Sequence, residues 1–230
     1  MARAAVADGI TVLAATPHVR ADYPTSAAQM ELLVAELREA LAAERVPLEV
    51  LPGGEIALDR LPELEDGELR RLGLGGNPAL LLLEFPYYGW PLGLEELLFG
   101  LSVRGFRSVL GHPERNAEVQ ERPERLSAVV AAGALVQLTA SSVDGRLGRS
   151  SRDTAFRLLE LGLAHLIASD AHAPAIRQIG MAAAAEAVGG GELARWLTFD
   201  VPRALLDGEP LTERPEAARS RPRRLPWRRH

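Results

Sequence analysis

Ile167-Ala168-Ser169-Asp170-Ala171-His172 decides how this chain is read. The apolar run Leu163 to Ile167 ends here in a carboxylate and, two residues on, an imidazole. Side chains alternate along a strand, so Asp170 and His172 leave one face at the end of a buried strand. Four other apolar runs end the same way. Thr11 to Ala15 leads to His18, Leu48 to Leu51 to Glu55, Ala79 to Leu83 to Glu84, and Ser108 to Leu110 to His112. Helix-like stretches separate them, at about Ala27 to Glu44 (capped by Thr25), Leu94 to Gly105, Pro123 to Ala132 and Ser150 to Leu161. Further helices are expected over Ile176 to Val188 and Glu192 to Leu197.

Short, continuous apolar strands alternating with helices predict an α/β fold whose parallel sheet is covered on both faces. Reactive residues at several strand C-termini favour a barrel, where loops at that rim converge. Six strands are expected, at Thr11, Leu48, Ala79, Ser108, Leu135 and Ala164. The folded body is expected over residues 1–208. A basic Pro/Arg-rich disordered tail is expected over 209–230, since no apolar period survives there.

Composition narrows the chemistry. The 230 residues contain no cysteine, which excludes disulfides, thiolate metal sites and a cysteine nucleophile. Any metal must therefore be held by nitrogen and oxygen. Net charge is −5, which argues against a nucleic-acid-binding body. Six arginines and no acid fall in Ala217 to His230, so an acidic body ends in a basic tail. No run is long enough to span a bilayer and no signal-peptide order is seen, so a cytoplasmic protein is expected.

The rim residues are His18, Glu55, Glu84, His112, Asp170 and His172. Taken singly, each has a plainer role as a loop histidine, a helix cap or an ion-pair partner. Five strand ends carrying such residues together point instead to a hard site for Zn²⁺, Mn²⁺ or Fe²⁺. Arg115 and Arg177 follow ligand clusters, where a guanidinium fork suits phosphate. His165 lies within a strand and reads as a core histidine; His230 reads as inert tail. Asp144, Ser141 and Ser142 read as turn formers. Tyr87-Tyr88-Gly89-Trp90 reads as aromatic packing beneath a loop, with a substrate pocket as the alternative.

At Ala15-Thr16-Pro17-His18, Gly54-Glu55-Ile56, Leu83-Glu84-Phe85, Gly111-His112-Pro113-Glu114-Arg115 and Ala168-Ser169-Asp170-Ala171-His172 the chain resembles the polymerase-and-histidinol-phosphatase (PHP) superfamily. Within it the likeness is to bacterial manganese-dependent protein tyrosine phosphatases of capsule and exopolysaccharide gene clusters. That resemblance implies a distorted seven-stranded α/β barrel with up to three metal ions. Glu55, Glu84 and His112 would hold one ion. Glu55 would bridge to a second that Asp170 also binds, and His18 and His172 would share the third. Arg115 and Arg177 would bind the phosphate, and these two arginines with Asp170 and His172 make up the expected catalytic set. The implied reaction is phosphotyrosine hydrolysis by metal-activated water, on a membrane-associated tyrosine kinase that controls polysaccharide export. The family's initial strand, with a His-x-His pair, precedes the point matched by Met1. The expectation is therefore an N-terminally truncated barrel with six strands and one complete metal site, its activity impaired unless the true start lies upstream. The alternatives are a small-molecule phosphatase, such as one acting on histidinol phosphate, and a non-catalytic remnant that binds phosphotyrosine or the kinase.

Overall fold

Among the described residues there are eight short strands: β1 (Val12–Ala14), β2 (His18–Val19), β3 (Glu49–Leu51), β4 (Glu55–Ala57), β5 (Leu80–Glu84), β6 (Arg107–Gly111), β7 (Leu135–Thr139) and β8 (Leu166–Ala168). The α-helices are α1 (Ala2–Ala7), α2 (Ala27–Ala43), α3 (Asp66–Arg71), α4 (Leu94–Val103), α5 (Ala117–Glu121), α6 (Leu126–Ala131), α7 (Ala140–Val143), α8 (Arg149–Glu160), α9 (Met181–Ala187), α10 (Gly191–Arg195) and α11 (Val201–Asp207). This computed structural model describes residues 1–173 and 178–215. The expected phosphate ligand Arg177 and residues 216–230 of the basic tail lie outside the described residues.

Six strands form an all-parallel sheet in the order β2-β4-β5-β6-β7-β8, and β1 pairs with β3 in a separate parallel pair. Every strand of the large sheet neighbours the next one in the chain, so the sheet is singly wound. Right-handed crossovers, the rule for parallel strands, place the connecting helices of such a sheet on one face. β5, four leucines and Glu84, is buried at all five positions, so both faces of that strand are covered.

The strand expectation needs correction. Strands appear at the expected Thr11 and Leu48 runs, as β1 and β3, but after a break each run is followed by an unexpected short strand, β2 and β4. Pro17 has no N–H to give, and Pro52-Gly53-Gly54 interrupts the second. Backbone bonding carries on across the breaks: the Ala15 amide donates to the Leu51 carbonyl at 2.9 Å, and the Glu55 amide donates to the Pro17 carbonyl at 3.0 Å. The large sheet is open, with β2 and β8 at its edges, so no closed barrel is formed among the described residues. Its edges nonetheless curl toward each other at the C-terminal rim, where His18 Nε2 lies 3.3 Å from His172 Nε2.

Two boundaries also move. Ser26, not Thr25, caps α2, its hydroxyl accepting from the Gln29 amide at 3.2 Å. Residues 209–215, read as the start of the tail, are held against the body. Trp196 Nε1 donates to the Thr212 carbonyl at 3.1 Å, and Arg214 Nη2 donates to the Leu159 carbonyl at 2.7 Å.

His165 has the structural role expected of it. Its Nδ1 accepts from the Val136 amide at 3.1 Å, which requires a neutral ring. Burial, reinforced by Arg107 and Arg214, pushes its pKa down to about 4 from the ordinary 6.5. The unfolded chain therefore takes up this proton at higher pH than the fold does. The stability His165 contributes is present above about pH 6.5 and is lost progressively as pH falls toward 4. Discounted for partial exposure, the loss is about 2 kcal/mol. Urea unfolding at pH 7 and pH 4.5 should show a difference of that size that His165→Asn removes. An equal acid loss in both proteins would show that His165 is not its source.

Candidate metal and phosphate site

Residues paired across parallel strands share a face of the sheet, and the register gathers the site from that rule. His18 pairs with Glu55, Ala57 with Glu84, Glu84 with Gly111, and Thr139 with Ala168. Glu55, at the start of β4, and Glu84, at the end of β5, therefore leave one face. Two glycine or near-glycine conformations complete the gathering. By alternation His112 belongs to the opposite face, but its φ of +45° turns the chain and brings its ring back. Asp170 is turned likewise at φ +46°. Side chains other than glycine seldom adopt this region, and strain of this kind collects at functional sites. Gly111 keeps the approach open, since a Cβ there would stand 3.2 Å from Glu55 Oε1.

Glu55 is the hub and is 4% exposed. Its Oε1 lies 3.1 Å from His112 Nε2, and its Oε2 lies 2.9 Å from His18 Nδ1. The second approach is poorly aligned for a hydrogen bond, which leaves the buried His18 Nδ1 without one. His18 Nδ1 is also 3.8 Å from Glu84 Oε2. Burial would raise the pKa of Glu55, but His112 and His18 outweigh it and hold the carboxyl down to about 2. The neighbouring Glu55 raises His18 in turn.

Two arginines close the rim. Arg115 Nη1 donates to Asp170 Oδ2 at 2.9 Å, and Arg20 Nη1 donates to Glu84 Oε1 at 3.0 Å. Arg20 also grips Asp22 through Nε and Nη2, at 2.9 and 3.1 Å. Tyr87 lies beside this group: its ring stacks on His112 with centroids 5.7 Å apart, and the Arg115 guanidinium sits 4.6 Å from its centre. The aromatic stretch thus divides. Tyr87 belongs to the site, whereas Trp90 packs edge-on against Phe85 and under Arg125.

The donors suit a divalent cation in type, being imidazole and carboxylate, and in pairwise spacing. Bonds of about 2.1 Å put neighbouring ligand atoms roughly 3 Å apart. His18–Glu55, Glu55–His112 and His18–His172 are at 2.9, 3.1 and 3.3 Å. Two imidazole Nε2 atoms facing one another at such a distance need a shared proton or a shared cation. Among the described residues, no three of these side chains close around one point as they stand. Arg20 and Arg115 pair with Glu84 and Asp170.

Three contributors had gone unassigned in the sequence. Arg20 was findable, since it stands two residues past His18 and follows it out of β2. Asn116 ties loops together: its amide donates to the Pro86 and Gly89 carbonyls at 2.8 and 2.9 Å, and its oxygen caps α5. Glu114, fully buried, accepts from the Thr139 amide at 3.0 Å and from Ser142 Oγ at 2.7 Å, fastening the His112–Arg115 turn to β7 and α7. Ser142 is therefore an anchor, and Asp144 pairs with Arg146. Burial pushes the Glu114 carboxyl up. Glu114→Ala, which strands two buried donors, should cost about 2–4 kcal/mol in urea unfolding. Glu114→Gln keeps the acceptor and should cost much less; equal losses would mean that volume, not hydrogen bonding, matters here.

A singly wound α/β sheet with an imidazole and carboxylate rim beside a stacked arginine defines the class of this protein. The chain belongs to the capsular polysaccharide synthesis CpsB/CapC family, whose model matches residues 1–207. It is 38% identical over 174 residues to tyrosine-protein phosphatase YwqE of Bacillus subtilis (strain 168), covering 75% of this chain and 68% of that protein. It is 30% identical over 171 residues to the putative tyrosine-protein phosphatase CapC of Staphylococcus aureus, covering 73% and 66%. The chain thus spans about two thirds of these curated relatives. A solved chain from work on YwqE of B. subtilis and CpsB of Streptococcus pneumoniae, described as unique metal-dependent tyrosine phosphatases, superposes with a TM-score of 0.85 at 33% identity. That match covers 96% of this chain and 90% of the other. No helix among the described residues is long and apolar enough to cross a membrane.

Proposed function

We propose that this chain is a metal-dependent protein tyrosine phosphatase of the PHP type. It uses Mn²⁺, and its substrate is phosphotyrosine on a tyrosine kinase of polysaccharide export. The observation that carries this reading is Glu55 held between His112 and His18, beside an arginine stacked on Tyr87. The names of the relatives and of the structural neighbour support the phosphatase class and metal dependence. The open, curled sheet is read as a distorted barrel of that type.

Glu55, Glu84 and His112 would hold one ion, Glu55 and Asp170 a second, and His18 and His172 the third. Ions so held supply Lewis acidity and a water acidic enough to attack phosphorus near neutral pH. The chain's own part is positioning and charge. Arg115 can turn its fork from Asp170 to two phosphate oxygens, whose charge grows in the transition state. Tyr87, under that guanidinium, restricts where the fork can go. Arg177 is assigned a second phosphate contact on family resemblance. The leaving phenolate, with an ordinary pKa of about 10, needs only modest acid help.

Parallel assays with a phosphotyrosine peptide and histidinol phosphate in the presence of Mn²⁺ test the reading. Preferential peptide hydrolysis is expected. Preferential histidinol phosphate hydrolysis would move the protein to small-molecule chemistry, and binding without hydrolysis would move it to a recognition role.

A further inference from the structure

The loop between β5 and α4 leaves Glu84 and reaches the site through Tyr87, and two of its large side chains are left in water. Tyr88 is 83% exposed and Leu92 is 99% exposed. A mobile loop could bury such side chains against the body. This one is pinned on both sides of Tyr88. The Asn116 amide, itself fully buried, binds the Pro86 and Gly89 carbonyls, and the Ala117 amide donates to the Tyr87 carbonyl at 3.0 Å. Farther along, the Trp90 amide donates to Glu118 Oε1 at 3.0 Å, while its ring is clamped by Phe85 and by Arg125 at 4.1 Å. Several part-buried polar contacts thus fix the backbone on both sides of Tyr88, and Leu92 follows between Trp90 and the start of α4. Preorganised apolar side chains of this sort mark recognition surfaces, because ordering them is not charged against binding.

The loop is continuous with the candidate site through Tyr87, which touches His112 and Arg115. We propose that Tyr88 and Leu92 form an apolar rim that receives hydrophobic residues flanking the phosphotyrosine of a protein substrate. This rests on the phosphatase reading and extends it to sequence preference. Tyr87 and Arg115 mark the place of the phosphotyrosine itself. Tyr88 and Leu92, exposed farther along the same loop, are assigned to the residues beside it.

The test measures binding and turnover separately. Fluorescent peptides carry a non-hydrolysable phosphonate analogue of phosphotyrosine, flanked either by Leu, Ile and Val or by Ser and Gly. Anisotropy titrations against the intact chain with Mn²⁺ should show the apolar-flanked peptide binding about tenfold tighter, the effect of burying one or two apolar side chains. The double substitution Y88S/L92S should bring the two peptides to equal affinity. A preference absent from the wild type, or surviving the double substitution, overturns the rim, as does failure of both peptides to bind. Hydrolysis of p-nitrophenyl phosphate, run alongside, reports on the phosphatase reading alone. A flank preference without turnover would keep the rim and discard the reaction, and turnover without preference would do the reverse.

Discussion

Glu55→Gln is expected to lower phosphotyrosine turnover about a thousandfold, the order seen when one preorganised charged group is taken from a reacting centre. Glu55 stays ionised at any physiological pH because the two imidazoles hold it down to about 2. Neutralising it removes the charge that His18 and His112 are arranged around. An amide is nearly the same shape and its oxygen still accepts from one ring, so the fold should survive. The check is steady-state kinetics beside circular dichroism and calorimetric Mn²⁺ titration. Loss of turnover and of metal affinity with an unchanged spectrum is the expected outcome. Near-normal turnover would remove Glu55 from the centre of the mechanism.

Arg115→Lys is expected to reduce kcat by about a hundredfold to a thousandfold, with KM changing less. Charge is kept, but the planar fork that matches two phosphate oxygens is lost, as is the flat stacking on Tyr87. The exchange also weakens the tie to Asp170. Inhibition by inorganic phosphate should weaken in step, because the product presents the same oxygens. If only KM rose, Arg115 would be a docking residue that holds substrate and transition state alike.

The central sheet was legible because its strands carry short apolar runs, such as Leu80 to Leu83, that lead into a polar residue. Leu80–Glu84 and Arg107–Gly111 fall where that pattern puts them. β2 and β4 escaped because two or three residues just after a proline or a glycine carry no period of their own. Spacing likewise said nothing of the left-handed backbone at His112 and Asp170, since nothing in those residue types demands it. The arginine pairs depend on distant segments: Arg20 meets Glu84 across 64 positions of chain and Arg115 meets Asp170 across 55. The segment 209–215 looked like tail by composition, yet one buried tryptophan and one arginine hold it in place.

The most direct test of the central claim is phosphotyrosine-peptide hydrolysis by the intact chain after chelation, followed by titration with Mn²⁺. The rim of His18, Glu55, Glu84, His112, Asp170 and His172 predicts that turnover vanishes on chelation and returns with the added ion. It also predicts that Glu55→Gln prevents the return. Turnover that persists at full rate in excess chelator would contradict a metal-dependent site.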